Sequence, residues 1–139
     1  MPPLSPFASA PANVLAPDRL RILVADDERD FVLTLTALLR DEGHDVKGFN
    51  NGRDVLAAVA DLDPDVVILD VAMPGLNGWD VAREIRMLSG GARPLLIAVS
   101  GRYMKRADKI LADMMGFNHY LTKPCEPDAL VTLLASLTR

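Results

Sequence analysis

Short apolar runs alternate along the chain with longer segments in which apolar residues recur at helical spacing. Val, Ile, Leu and Ala fill positions 22–25, 66–69 and 95–99, and each run stops at an Asp or at a Ser-Gly pair. Such runs are typical of strands buried on both faces of a parallel sheet. Because right-handed crossovers place helices on both faces, five strand-helix units predict an α/β fold with a doubly wound five-stranded parallel sheet and five helices.

The pattern also predicts where each element lies and which residues it buries. Strands are predicted at 21–25, 45–49, 64–70, 94–99 and 118–122, with the second strand at an edge. The residues expected to face the core are, helix by helix, Phe31, Leu35, Leu38 and Leu39; Val55, Leu56, Val59 and Leu62; Val81, Ile85 and Leu88; Ile110, Leu111, Met114 and Met115; and Leu130, Leu133, Leu134 and Leu137.

Polar residues with reactive or charged groups follow four of these strands. Asp26 and Asp27 come after the first, Asp70 ends the third, Ser100 follows the fourth, and Lys123 follows the fifth. The carboxyl ends of parallel strands share one edge of a sheet, where ligands bind in open α/β folds. We therefore expect three carboxylates, a hydroxyl and an ammonium to converge there.

This set of residues, in this order, resembles the receiver domain of two-component signalling, a relative of the chemotaxis response regulator. The resemblance covers the chain from about Arg21 to its C-terminus. It implies a flavodoxin-like sheet in the order 2-1-3-4-5, which periodicity alone cannot supply. It further implies that Asp70 accepts a phosphoryl group and that Lys123 neutralises charge on it.

A divalent cation, Mg²⁺ or Mn²⁺, is expected on two grounds. Three carboxylates at one edge repel one another, and Mg²⁺ accepts carboxylate and phosphate oxygens as ligands. The resemblance implies that Asp27 and Asp70 ligate directly, that Asp26 ligates through water, and that the carbonyl of Ala72 completes the protein ligands.

The resemblance implies further roles around Asp70. Ser100 and Tyr120 would form the switch that senses phosphorylation, and Ala72 and Arg102 would tune hydrolysis. Pro124 would follow a cis peptide bond that aims Lys123. On activation, a homodimer through the fourth and fifth helices is a further expectation.

Composition narrows the class of protein. The chain has 139 residues, a formal net charge of −4 and a single cysteine. The acidic balance argues against direct binding of nucleic acid or anionic membrane, and one cysteine excludes an internal disulfide. No apolar run reaches the roughly 18 residues that span a bilayer, so we expect a cytoplasmic protein. The resemblance implies that its partner is a histidine kinase or a histidine phosphotransfer protein.

The chain is expected to divide into a tail and one domain. Residues 1–18 are rich in Pro and Ala and are expected to be disordered or extended, while 19–139 form the receiver domain. Met1 favours a stand-alone single-domain regulator. The alternative is a receiver fragment of a hybrid histidine kinase, which 116–120 and 123–127 resemble.

Three other functions stay open at this stage. An aspartyl-phosphate hydrolase also needs clustered Asp, Lys and Mg²⁺, but it usually has an acid/base Asp two residues after the nucleophile, where Ala72 stands. A binding module independent of phosphorylation would keep the fold alone. A flavin protein is disfavoured because an acidic loop follows the first strand where a phosphate cradle needs backbone amides.

Overall fold

The computed structural model describes residues 19–73, 75–89, 94–100, 106–123 and 126–137. The predicted tail, residues 1–18, lies outside this part of the chain. Strands and helices alternate throughout, in the order β1 Arg21–Ala25, α1 Arg29–Asp41, β2 Asp45–Phe49, α2 Gly52–Leu62, β3 Val66–Asp70, α3 Gly78–Ser89, β4 Leu95–Ser100, α4 Arg106–Met115, β5 His119–Thr122 and α5 Pro127–Leu137.

The five strands form one sheet in the order β2-β1-β3-β4-β5, with every neighbouring pair parallel. The doubly wound, flavodoxin-like α/β fold with strand order 2-1-3-4-5 is therefore confirmed, as is the edge position of β2. The pairing aligns Asp70 of β3 with Val99 of β4, and Ser100 with Thr122 of β5. This register brings the polar strand ends to one edge of the sheet.

Helices cover both faces of the sheet because successive strand residues point to opposite sides. Leu23, Ala25, Val67 and Leu69 pack in a core with residues of α2 and α3. The intervening residues of the same strands, Ile22, Val24, Val66 and Ile68, pack in a second core with α1 and α5. All five residues of β3 are buried, so the strand that ends at Asp70 is held from both sides.

The buried helix faces agree with the predicted stripes except in α4 and at the end of α3, and the side chain of Leu137 in α5 lies outside the described part of the chain. Ile110 and Met114 of α4 are 54% and 76% exposed, and Leu88 of α3 is also exposed. Instead, Ala112 and, beyond the helix, Phe117 enter the core. The prediction for α4 was wrong for Ile110, Leu111 and Met114, which are exposed, whereas Met115 packs partly buried against the core as predicted. The apolar residues of α4 occupy more than one helix face, and packing against the sheet selects the face that carries a small residue.

Two glycines allow the β3–α3 connection to lie close to its neighbours. A Cβ atom at Gly78 would stand 2.5 Å from the carbonyl oxygen of Asp70 and from the Cα of Val71. A Cβ atom at Gly52 would collide with the carbonyl oxygen of Leu76. The backbone of Asp70 is thus packed against Gly78, and that of Leu76 against Gly52, at positions where a side chain would collide.

Candidate functional site

The residues expected at the carboxyl edge of the sheet do meet there. Asp26 follows β1, Asp70 ends β3, and both side chains are almost wholly buried. One carboxylate oxygen from each of Asp26, Asp27 and Asp70 lies within 4.8 Å of the others. Lys123, which follows β5, reaches the same cluster with its ammonium, and its side chain is 18% exposed. Three carboxylates and one ammonium therefore share a small, mostly buried volume.

Local backbone bonds orient the two buried carboxylates. Asp26 Oδ1 accepts a hydrogen bond from the N–H of Glu28 at 2.9 Å, and Asp70 Oδ1 accepts one from the N–H of Ala72 at 3.0 Å. Each Asp thus closes a turn two residues long, a local bond that Asp side chains favour. In both residues the Oδ2 atom is left facing Lys123.

Lys123 contacts several groups at once. Its Nζ lies 2.7 Å from Asp26 Oδ2 and 3.8 Å from Asp70 Oδ2, and it donates a hydrogen bond to Glu28 Oε1 at 3.2 Å. The ring centroid of Phe31 is 5.0 Å from Nζ, within the range of a cation–π contact. The backbone N–H of Lys123 also donates to the carbonyl of Ser100 at 2.6 Å.

The crowding shifts the pKa values of the acid and the base in the same direction. Burial is the largest cause that raises the pKa of Asp70 to about 6; the negative charge of Asp26 adds to it, and the Ala72 N–H and Lys123 oppose it. Burial alone would lower the pKa of Lys123, but the carboxylates of Asp26, Asp70 and Glu28 outweigh burial and raise it. Lys123 therefore remains cationic, but its positive charge does not fully offset the cost of ionising Asp70.

The donor set fits a hard divalent cation. Asp26 Oδ2 is buried and, apart from its ion pair with Lys123, has no hydrogen-bond partner among the described residues. Hard cations such as Mg²⁺ take oxygen ligands, and three carboxylates within 4.8 Å of one another supply them. The residues that could hold the ion are thus Asp26, Asp27 and Asp70. Without a cation, their three negative charges would repel one another.

The two residues expected to form the switch lie on neighbouring strands, Ser100 on β4 and Tyr120 on the edge strand β5. Ser100 is buried at the end of β4. Tyr120 of β5 is partly exposed, and its hydroxyl donates to Asp113 Oδ1 of α4 at 2.7 Å, with the Lys109 carbonyl at 3.4 Å. The hydrogen bond to Asp113 is the main cause that raises the pKa of Tyr120. Tyr120 is therefore tied to α4 in this structure.

Three other residues with predicted roles at the site are Ala72, Arg102 and Pro124. Ala72 is exposed two residues beyond Asp70, where its N–H holds the Asp70 carboxylate. Arg102 and Pro124 lie outside the described residues, so their predicted roles in hydrolysis and in aiming Lys123 stay predictions.

Sequence reasoning missed Glu28 and Phe31, which both contact the ammonium of Lys123. Glu28 stands directly after the Asp pair and was visible as a third acidic residue. Phe31 was assigned only to the core-facing stripe of α1, because periodicity does not show that the ring of a core residue also contacts a charged group.

Comparisons with known proteins show the family of the chain. The family model described as response regulator receiver domain matches residues 22–135. The DNA-binding response regulator MtrA of Mycobacterium tuberculosis (strain ATCC 25618 / H37Rv) is 38% identical over 121 residues, which cover 87% of this chain and 51% of MtrA. The chain thus spans about half the length of that relative.

Relatives and structures of similar size match as well. Protein PilH of Pseudomonas aeruginosa is 36% identical over 112 residues, covering 80% of this chain and 91% of PilH. The chemotaxis protein CheY4 of Vibrio cholerae has a solved structure that superposes with a TM-score of 0.79 at 25% identity, covering 86% of this chain and 98% of that one. Within the described residues, no helix is long and apolar enough to cross a membrane. The chain belongs to the response regulator receiver domain family of two-component signalling.

Proposed function

We propose that Asp70 accepts a phosphoryl group, in a step that depends on a divalent cation, from a histidine kinase or a histidine phosphotransfer protein. The observation that carries the proposal is the position of the Asp70 carboxylate. It is buried at the end of β3, within 4.8 Å of the carboxylates of Asp26 and Asp27, and 3.8 Å from the ammonium of Lys123.

The chemistry follows from the groups present. A carboxylate oxygen of Asp70 attacks phosphorus, the new O–P bond forms, and the bond from phosphorus to the donor breaks, with its electron pair leaving on the donor atom. From a phosphohistidine donor the leaving group is an imidazole nitrogen, and the product is an acyl phosphate on Asp70. Lys123 supplies positive charge for the oxygens of the transferred group, so positioning and electrostatics carry the step.

Asp26 and Asp27 would hold the cation together with Asp70 and the carbonyl of Ala72. When bound, a Mg²⁺ or Mn²⁺ ion would neutralise charge on the carboxylates and on the transferred group. The buried Oδ2 atom of Asp26 supports this assignment, because its partner among the described residues is the ammonium of Lys123 at 2.7 Å, and a carboxylate oxygen can accept a further bond.

Ser100 and Tyr120 are proposed to transmit the change. A hydroxyl at Ser100 can donate to a phosphoryl oxygen that an unmodified carboxylate does not present. In the present structure Tyr120 is bonded to Asp113, so a movement of Tyr120 toward Ser100 would release that bond and alter α4. The surface of α4, β5 and α5 is then the part that a partner protein, or a second copy of the chain, would read.

A switch is favoured over an aspartyl-phosphate hydrolase because of the residue at position 72. The hydrolase needs an acid/base carboxyl near the leaving group, and Ala72 offers only its backbone. The acyl phosphate is therefore expected to persist until water attacks it, and a partner can read it during that time. The single-domain expectation stays a prediction, since relatives both longer than and similar in length to the chain match it.

The test is intact mass after incubation with Mg²⁺ and a small acyl phosphate such as acetyl phosphate. One added phosphoryl group on the wild type, absent in Asp70→Asn and absent under chelation, is the expected result. Asp27→Asn serves as a second variant, which should lose the cation and with it the adduct. An adduct that survives Asp70→Asn, or steady turnover of the donor with no adduct on a rapid-quench timescale, would contradict the proposal.

A further inference from the structure

Glu28 occupies the N-cap position of α1 without capping it. Efficient N-caps are Ser, Thr, Asp and Asn, and the side chain of Glu28 makes no capping hydrogen bond. It extends instead toward Lys123, whose Nζ donates to Glu28 Oε1 at 3.2 Å. The side chain is thus engaged with the ammonium of the site rather than with its own helix.

The β1–α1 segment, residues 26–31, carries groups that attract Lys123 away from Asp70. Nζ lies 2.7 Å from Asp26 and 3.2 Å from Glu28, but 3.8 Å from Asp70, which is beyond hydrogen-bond distance. The ring of Phe31, on the same segment, attracts the ammonium from 5.0 Å. In the resting structure the ammonium therefore faces the β1–α1 segment.

Glu28 and Asp26 differ in how they would respond to a bound cation. Asp26 belongs to the cluster of three carboxylates and would share its charge with the ion. Glu28 lies outside that cluster and is 62% exposed, so it would keep its attraction for Lys123. An interaction that is stronger in the resting state than in the transition state slows the reaction.

We propose that Glu28 is a positioning residue that restrains Lys123 on the β1–α1 side and thereby slows the phosphorylation of Asp70. This inference rests on the proposed function. Exposed ion pairs contribute little free energy, so releasing Lys123 should raise the phosphorylation rate by about two- to fivefold. Phe31 assists by offering a second attraction on the same side.

The experiment measures the rate of phosphorylation by acetyl phosphate with saturating Mg²⁺ in wild type, Glu28→Gln and Glu28→Asp. The Asp variant keeps the charge but is one methylene shorter, so it should lose the contact and resemble Gln. Asp30→Asn is the matched control, because Asp30 is an exposed acid two residues away that makes no ion pair among the described residues. It removes the same charge and should change the rate much less.

A double-mutant cycle separates restraint of Lys123 from general repulsion of the anionic donor. In a Lys123→Gln background, Glu28→Gln should have no further effect. An equal increase in that background, an equal increase in Asp30→Asn, or a rate unchanged or lowered in Glu28→Gln would each overturn the inference.

A second readout does not depend on phosphorylation. The side-chain ¹³Cε resonance of Lys123 should shift in Glu28→Gln and stay in place in Asp30→Asn, and an unmoved resonance would remove the contact from the account. If the wild type forms no adduct on Asp70, the proposed function itself fails. If the wild type is phosphorylated and the Glu28 variants behave like it, this inference alone fails.

Discussion

Asp70 is held as a buried carboxylate beside two others, and that arrangement has an energetic cost when no cation is present. Burial and the neighbouring charge of Asp26 both disfavour its ionised form, and a pKa of about 6 reflects this. The residue suited to accept a phosphoryl group is thus also a source of instability in the resting protein. Functional sites often carry such a cost.

We predict that Asp70→Asn stabilises the protein in buffer without divalent cations. The amide removes one of three crowded negative charges, so the free energy of unfolding at pH 7.5 should rise by about 1 kcal/mol. Urea unfolding of wild type and variant measures it. With Mg²⁺ at 100 times its Kd, wild type should gain about 2.7 kcal/mol, while the variant should gain much less. A variant less stable than wild type in chelator would contradict this view.

His44 makes the fold sensitive to acid at a point far along the sheet from the proposed site. Its Nδ1 accepts a hydrogen bond from the N–H of Leu20 at 3.2 Å, which requires the unprotonated nitrogen. Burial is the main cause that lowers the pKa of His44, and the charge of Glu42 opposes it. The unfolded chain therefore takes up a proton first as the pH falls below about 6.5.

Because the folded pKa is lowered, this contribution to stability is complete above pH 6.5 and is lost as the pH falls from there through the folded pKa. We predict that the free energy of unfolding falls by about 1 kcal/mol, the contribution of one hydrogen bond, relative to His44→Asn. The Asn variant keeps an acceptor near the same place and does not titrate. Unfolding measured from pH 7.5 to 5 tests it. Parallel curves for the two proteins would exclude His44 as the cause.

At the scale of elements, the start of α3 packs closely against the end of β3. A side chain at Gly78 would press on the backbone of Asp70 and Val71, and backbone atoms there cannot swing aside as a side-chain tip can. The geometry of the Asp70 carboxylate therefore depends on a residue with no functional group.

We predict that Gly78→Ala lowers the free energy of unfolding by about 1–3 kcal/mol and weakens Mg²⁺ binding, because the displaced backbone moves Asp70. Thermal unfolding and a Mg²⁺ titration followed by fluorescence of Trp79, the single tryptophan, measure the two effects. Arg83→Ala, at an exposed position in the same helix, is the control and should change neither by much. An unchanged Mg²⁺ affinity in Gly78→Ala would contradict this prediction, because it would show that the added methyl group leaves the Asp70 carboxylate in place.

The described side chains of helix α4, residues 109–115, bury little surface. Among its described side chains Ala112 is the buried one, whereas Val32, Leu35, Thr36 and Leu39 are buried in α1. Elements with few buried contacts open at low free energy. Among the side chains that the structure describes, the helix that the proposed switch would alter thus has fewer buried residues than α1.

We predict that the amides of residues 110–115 exchange with solvent faster than those of 32–39 in α1. Hydrogen exchange read by NMR or mass spectrometry provides the comparison. Tyr120→Phe should speed exchange in α4 further, because it removes the bond to Asp113 that ties the helix to β5. Slow exchange in α4, equal to that of α1, would show that residues other than Ala112 secure it.

For the molecule as a whole, the layout of the fold could be predicted from the sequence and parts of the packing could not. Apolar runs ending at Asp26, Asp70 and Ser100 marked strands whose observed ends differ by a residue or two at most. A strand buried on both faces is apolar at nearly every position, so its ends are easy to recognise in the sequence. The exposed Ile110 and Met114 could not be predicted, because the face of α4 that meets the sheet depends on packing rather than on periodicity.

The candidate site divides in the same way. Convergence of Asp26, Asp70 and Lys123 follows from strand order, since parallel strands end at one edge. The contacts of Glu28 with Lys123 and of Tyr120 with Asp113 join side chains 95 and 7 residues apart, and neither pair leaves a periodic signal. The spacing of residues along the chain predicts which side chains lie at this edge of the sheet. The contacts that each side chain makes there are seen only in the three-dimensional structure.

The central claim is that Asp70 itself carries the phosphoryl group, and reductive trapping tests it most directly. The protein is incubated with Mg²⁺ and acetyl phosphate, treated with borohydride, which reduces an acyl phosphate to an alcohol, and digested for peptide mass mapping. We predict homoserine in place of Asp70, dependent on Mg²⁺, with Asp26 and Asp27 unchanged. Homoserine at Asp26 or Asp27, or a phosphoryl adduct that leaves Asp70 intact after reduction, would contradict the account.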